Sequence, residues 1–324
     1  MRKKTAVVMF NLGGPDSLEA VKPFLFNLFY DPAIITVPNP FRWIIAKIIS
    51  SRRAPIAQDI YRQIGNKSPI LEETEKQRLA LENKLNENSD NNDTDYKCFI
   101  FMRYWHPFAI EAAMQVKAYD PDQIILLPLY PQYSVTTTGT GLIEWNKSAK
   151  NAGLNVPYSV VKDYPDHVFF IKAMADLIRA RLVDIKDKSE YRLLLSAHGL
   201  PKKTIEAGDP YQSQVEITGA ALMEELKNEK LDHIICYQSR VGPLEWIGPS
   251  TEDEIERAAQ DKKNIIMVPI AFVSEHSETL VELDIEYKEL AEKVGVKDYR
   301  RIVTVSDNPI FIEGLSNLVQ KHMK

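Results

Sequence analysis

The sequence predicts an α/β protein of two similar domains, each a parallel sheet flanked by helices. Three observations predict it. Short runs that are apolar on both faces recur at Thr5–Leu12, Lys97–Tyr104, Gln123–Leu129, Arg192–Ala197, His233–Tyr237 and Asn264–Ala271, as strands buried inside a parallel sheet do. Amphipathic helical patterns lie between them, among them Asp209–Lys227, His276–Glu292 and Pro309–Lys321; alternation of this kind means parallel pairing. The second half also echoes the first: LGGP (Leu12–Pro15) and HGLP (His198–Pro201) each follow an opening strand, and IILLP (Ile124–Pro128) matches IIMVP (Ile265–Pro269).

The chain of 324 residues is comfortable for two domains. They are expected at 1–160 and 161–324, with a last helix near 308–322 packing back on the first. The strands starting at 97 and 123 are spaced much like those at 233 and 264, but the step from 5 to 97 is far longer than that from 192 to 233. The first domain therefore carries an insertion of about fifty residues, placed near 15–70.

Composition excludes several classes. Apolar residues make up 44% and charged residues 26%, ordinary globular usage. A net charge of -5 and a pI near 5.8 speak against a nucleic-acid partner. Two cysteines, Cys98 and Cys236, cannot build a disulfide framework or a cysteine-rich metal site. No run of apolar residues is long enough to span a membrane. The apolar run after Met1–Lys4 stops at Phe10, too short for a signal-peptide core. A cytoplasmic location is expected.

The insertion is rich in large apolar residues, including Phe24, Phe26, Phe29, Phe41, Trp43, Ile44, Ile45, Ile48 and Ile49. It is either a helical cover for the sheet or an apolar lip that receives a flat, greasy ligand or rests on a membrane. Asn86–Asp95 is polar and reads as a surface loop.

Ligands of open α/β sheets bind beyond the carboxyl ends of the strands. Leu12–Ser17 lacks both glycine-rich nucleotide patterns, and Pro15 at a helix start explains it. His198 ends the run LLLSA, where an imidazole can take a proton or ligate a metal, although a packed core histidine is an equal reading. Glu278, Glu282 and Glu286 stand four apart, which on an α-helix is one face. Like charges so spaced repel unless they face cations or protons, so the row reads either as an ion or proton path or as a solvated face balanced by Lys288 and Lys293. Arg52, Arg53, Ser68, and Gln238 through Trp246 offer donors beside apolar surface, suited to a flat hydrophobic ligand rimmed by carboxylates.

Together these residues resemble the ferrochelatases. The likeness covers nearly the whole chain. It runs through FNLGGPD (Phe10–Asp16), RRAPIAQDIYRQIGNKSPI (Arg52–Ile70), RYWHP (Arg103–Pro107), YPQYSVTTTG (Tyr130–Gly139), SAHGLP (Ser196–Pro201), YQSRVGPLEWIGP (Tyr237–Pro249) and FVSEHSETLVELDIEY (Phe272–Tyr287). The resemblance implies two Rossmann-like domains with a porphyrin cleft between them, and insertion of Fe2+ into protoporphyrin IX with release of two protons. It implies His198 and Glu278 as catalytic iron ligands, and Glu282, Glu286 and His276 as a metal or proton path on a partly π-type helix. Arg52, Arg53, Ser68 and Ser239 match positions near the propionates; Leu12, Arg103, Tyr104 and Trp246 match pocket or access positions.

Departures from the family pattern sharpen the expectation. Val135 stands at the position of one ligand of the [2Fe–2S] cluster that some relatives carry, and no terminal cysteines are present, so no tightly bound cofactor is expected. Leu12 replaces the Tyr of the coproporphyrin-using branch, which favours protoporphyrin. Gly199 replaces the commoner Ser after the histidine, a change expected to be tolerated. Peripheral membrane contact through the lip is a further expectation. The alternatives are another tetrapyrrole metallochelatase, for coproporphyrin or for cobalt or nickel, and a non-catalytic porphyrin or haem carrier.

Overall fold

The computed structural model describes residues 2–87, 94–240 and 244–323. The loop expected at Asn86–Asp95 therefore lies largely outside the described residues, as do Val241–Pro243 of the stretch after the fifth strand.

The strands are β1 (Lys3–Asn11), β2 (Thr94–Met102), β3 (Gln123–Pro128), β4 (Tyr158–Val160), β5 (Tyr191–His198), β6 (Asp232–Gln238), β7 (Asn264–Pro269) and β8 (Tyr299–Arg301). They form two four-stranded sheets of the same order, β2-β1-β3-β4 and β6-β5-β7-β8, and every pair is parallel. The repeat in the sequence is thus a repeat of topology. β1 and β5 are central in their sheets and bury consecutive residues, Thr5–Asn11 and Tyr191–Ala197. β4 and β8, only three residues each at the sheet edges, were not among the expected strands; a run that short carries no periodicity to read.

The chain divides into two compact units. The first comprises residues 1–130, 134–163 and 312–324; the second comprises 131–133 and 164–311. In the first unit helices α1 (Val21–Tyr30), α2 (Phe41–Arg62) and α3 (Ile70–Glu87) separate β1 from β2, and α4 (Ala109–Tyr119) and α5 (Thr140–Ala152) follow. Its core joins Val8, Phe10, Phe101, Ile124, Leu126 and Trp145. In the second unit the helices are α6 (Val168–Leu182), α7 (Lys202–Glu206), α8 (Tyr211–Glu225), α9 (Thr251–Gln260) and α10 (Tyr287–Lys293); α11 (Pro309–Lys321) begins there and continues into the first. Leu194, Cys236, Ile265, Met267, Leu283 and Tyr287 pack together in its core.

The inserted helices α1 and α2 are buried on one side and apolar and exposed on another. Val21, Phe24, Leu25, Ala54 and Tyr61 pack with Tyr104 in a buried cluster, and Leu12 leans against it. Phe41, Trp43, Ile44, Ile48 and Ile56 stay exposed. A buried acid holds the pair of helices to the strand end. Asp31, 1% exposed, pairs with Arg103 through Nη2 and accepts a hydrogen bond from Tyr104 Oη at 2.9 Å.

The spacing of the acids alone suggests an α-helix, and the resemblance a partly π-type one; residues Glu278–Glu286 are π-helical, and α10 follows without a break. A π-helix closes i→i+5 hydrogen bonds, so residues four apart fall slightly short of a full turn, where on an α-helix they pass it. Glu278 and Glu282 are partly buried, whereas Glu286 is exposed.

Candidate active site

The second unit brings an imidazole and a carboxylate together at the carboxyl end of its central strand. His198 is the last residue of β5, paired with Gln238 of β6. Its Nδ1 lies 2.9 Å from Oε2 of Glu278, the first residue of the π-helical turn. A carboxylate accepts, so Nδ1 donates and Nε2 is the atom left to take a proton or a metal. Gly199 lets the strands close behind this histidine. Its N–H donates to the Gln238 carbonyl at 2.8 Å, and a Cβ there would stand 2.9 Å from that same oxygen.

The charges of the pair reinforce each other. Desolvation presses the His198 imidazole downward, but the Glu278 charge and hydrogen bond outweigh it and leave the pKa above its ordinary value. Desolvation likewise raises Glu278, but the charge and hydrogen bond of His198, with His276 behind, pull it well below its ordinary value. Each partner thus favours the charged form of the other. His276 is buried, with Nδ1 3.1 Å from the Ser274 carbonyl and Nε2 4.0 Å from Glu278 Oε2. A carbonyl only accepts, so Nδ1 carries hydrogen and Nε2 faces the carboxylate.

Glu282 is an anchor. Its carboxylate accepts from Ser239 N at 2.9 Å, Ser239 Oγ at 2.6 Å, Gln238 Nε2 at 2.9 Å and Tyr287 Oη at 3.0 Å. Ser239 sits at a φ of 62°, a left-handed conformation uncommon for serine, and Glu282 satisfies both of its donors. Desolvation, with the nearby Glu278 charge, raises the Glu282 pKa, and the Ser239 and Tyr287 hydrogen bonds oppose the rise. Trp246 is partly buried; its ring lies 3.3 Å from where a Cβ on Gly199 would stand. Gln238, expected among the donors after the fifth strand, is the last residue of β6. Sequence reasoning missed Tyr287, legible only as the last aromatic of its motif.

The remaining expected site residues lie in the first unit. Arg52 and Arg53 are exposed on α2, with the Arg53 guanidinium 5.8 Å from the Phe29 ring centre. Ser68 is buried beneath the glycines after β1; its N–H donates to Pro15 O at 2.8 Å, and its Oγ would be 2.5 Å from a Cβ on Gly14. Leu12, Arg103 and Tyr104 meet around the α1–α2 cluster, where Leu12 O accepts from Tyr104 N at 3.0 Å. Asp31, which ties Arg103 and Tyr104 together, was missed. It is the one acidic residue between Glu19 and Asp59, and that isolation was the available signal.

Among the described residues, no group of three or more His, Cys, Asp or Glu is placed to hold a metal ion. The pair has the chemistry of a transit point. Imidazole and carboxylate take protons and borderline divalent ions, and His198 Nε2 can do so with the Nδ1–Glu278 hydrogen bond in place.

Solved structures with this fold are chelatases. SirB from Bacillus subtilis with Fe3+ superposes with a TM-score of 0.53 at 12% identity, over 99% of this chain and 95% of that one. The sirohydrochlorin chelatase SirB from Bacillus subtilis subspecies spizizenii in complex with cobalt superposes with a TM-score of 0.54 at 10% identity, over 99% and 95%. The architecture is of the chelatase class. Within that class the chain belongs to the ferrochelatase family, whose model matches residues 4–323. Ferrochelatases from three bacteria are similar along nearly all of it. That of Rickettsia bellii is 54% identical over 320 residues, 99% of this chain and 87% of the relative. The Pelagibacter ubique protein is 51% identical over 318 residues, 98% and 91%, and that of a Wolbachia strain is 52% identical over 317, 97% and 98%. The chain is thus a lyase of haem synthesis that inserts iron into a porphyrin.

Proposed function

We propose that the porphyrin is protoporphyrin IX, and that His198 and Glu278 are the groups that handle its protons and the iron. The observation that carries this reading is the 2.9 Å contact between His198 Nδ1 and Glu278 Oε2 at the end of a central strand. Metallation needs two pyrrole protons removed and the iron stripped of water. With the pair's own proton discharged, the Nε2 lone pair of His198 accepts a pyrrole proton, and Glu278 holds the imidazolium that forms. Fe2+ enters as substrate. Glu282 serves this reading as the anchor that keeps Ser239 and the π-helical turn in place, with His276 and exposed Glu286 on the approach.

Protoporphyrin is favoured over coproporphyrin by Leu12, an apolar side chain packed with the α1–α2 cluster. This reading assigns Arg52, Arg53, Ser68 and Ser239 to the propionates, and Arg103, Tyr104 and Trp246 to pocket or access roles, each within its own unit. No tightly bound cofactor is part of the proposal: Cys98 and Cys236 are buried in different units, and burial raises both thiols, Cys236 to about 12. The test is an anaerobic assay with Fe2+ offering protoporphyrin and coproporphyrin side by side. Faster turnover of coproporphyrin would overturn the choice.

The location follows from α1 and α2. None of the described helices is long and apolar enough to cross a membrane. Exposed Phe41, Trp43, Ile44 and Ile48 lie in the same helix as Lys47, Arg52 and Arg53; of the two acids from α1 to the end of α2, Asp31 is buried against Arg103 and Asp59 pairs with Arg62. Exposed apolar residues with a surplus of cations suit peripheral contact with an anionic bilayer, and we read the protein as cytoplasmic with that contact.

A further inference from the structure

A π-helical turn is rare, and it persists where its surroundings favour it. Here it carries Glu278 and Glu282, and one guanidinium outside the turn holds it at both ends. Arg301 is the last residue of β8, in register with Met267 of β7. Its side chain is 8% exposed. Nε and Nη2 donate to Asp284 Oδ1 and Oδ2, each at 2.7 Å. Nη1 reaches Glu275 at 2.9 and 3.1 Å. Glu275 stands three residues before Glu278, and Asp284 lies beyond Glu282, so the two carboxylates bracket the segment that bears the site.

Further bonds tie the same parts. Tyr299, also on β8, donates from its hydroxyl to the Leu283 carbonyl at 2.6 Å. Glu275 accepts from Thr304 N at 2.9 Å, and Thr279 Oγ1 accepts from His276 N and donates to the His276 carbonyl, each at 3.0 Å. A three-residue edge strand is a slight addition to a sheet, but here it places a splint along the π-helical turn. The effect of these bonds on His198 and Glu278 runs through backbone position.

We propose that Arg301 is a positioning residue for iron insertion: its fork between Glu275 and Asp284 sets the π-helical turn so that Glu278 meets His198. Lysine keeps the charge but is a single point donor and cannot bridge two carboxylates with fixed geometry. The inference rests on the proposed role of Glu278.

The test compares the full-length protein with Arg301→Lys, Asp284→Asn, the double variant and Glu278→Gln. Fe2+ insertion into protoporphyrin is followed anaerobically, and amide hydrogen exchange is followed over residues 279–286. Arg301→Lys is expected to lower kcat by about tenfold to 10²-fold with little change in porphyrin KM, and to speed exchange over 279–286 by about tenfold while β5 is unchanged. Asp284→Asn releases one arm and moves both readouts the same way by less. The double variant should be no worse than Arg301→Lys alone, because both changes break one device. Unchanged exchange over 279–286, or a kcat loss no larger than the loss of folded protein, overturns the proposal, as does strict additivity. Should Glu278→Gln keep full activity, the reading of the site falls, while the exchange rates still decide whether the splint exists.

Discussion

The Nδ1 of His198 lies 2.9 Å from Oε2 of Glu278, across 80 residues of sequence. The contact joins the end of a central strand to the first residue of a π-helical turn. Each group shifts the other toward its ionised form. The consequences can be measured.

The first concerns stability against pH. The folded pKa of His198 is above its ordinary value of 6.5, so its contribution is fully present below 6.5 and is lost as pH rises through the folded value. Glu278 is lowered from 4.5, so its contribution is present above 4.5 and is lost as pH falls through the folded value. The stability difference between the native protein and His198→Ala should therefore peak between these limits. Urea midpoints across pH 3–9, a range of roughly the carboxylate-to-amine span, check it; a flat difference would sink it.

The second concerns Glu282. Glutamine in its place keeps one acceptor oxygen but turns an amide toward donors that now point at a carboxylate. With Ser239 N, Ser239 Oγ, Gln238 and Tyr287 all relying on it, Glu282→Gln should cost about 1–3 kcal/mol in denaturant unfolding. Tyr287→Phe removes one donor among four and should cost less. On the metallation side, Glu282→Gln should raise the KM for Fe2+ more than that for porphyrin. Equal rises would mean that Glu282 is an anchor and nothing else.

Asp31 supplies the third. Removing it leaves the Arg103 guanidinium without its buried counter-ion and the Tyr104 hydroxyl without its acceptor. Asp31→Ala should lose about 3–5 kcal/mol, as one-sided breakage of a buried pair does. Limited trypsin digestion should then cut faster at Arg52 and Arg53 on α2. Native-like stability and digestion would show that the helices are held by their apolar cluster alone.

The fourth concerns the exposed side chains of α2. The double change Trp43→Ser with Ile48→Ser should weaken sedimentation with vesicles containing anionic lipid, and leave metallation of detergent-dispersed porphyrin unaltered. Raised salt should weaken the native protein's binding as well, since part of it is charge attraction. Equal binding to neutral vesicles at every salt concentration would contradict the electrostatic part.

Much of this architecture was legible before any coordinates. The six longer strands announce themselves because parallel strands buried on both faces have no polar residues to break the run, as in LLL at Leu193–Leu195. His198 and Glu278 were legible as chemistry at a strand end and at a helix start. The π-helical geometry was legible only through the family resemblance: a four-residue spacing of acids taken alone suits an α-helix, and what holds the turn is tertiary. Glu275 and Asp284 share one motif, but Arg301 stands 26 and 17 residues beyond them, and no local pattern links it to them. Asp31 was hidden for the same reason, because its partners are 72 and 73 residues away.

The most direct measurement is anaerobic single-turnover absorption spectroscopy of Fe2+ and protoporphyrin with the native protein, His198→Ala and Glu278→Gln. The account predicts haem formation by the native protein and a fall of about 10²-fold or more in each variant, the usual scale of a lost acid–base group, with circular dichroism unchanged. Native rates in His198→Ala would contradict it.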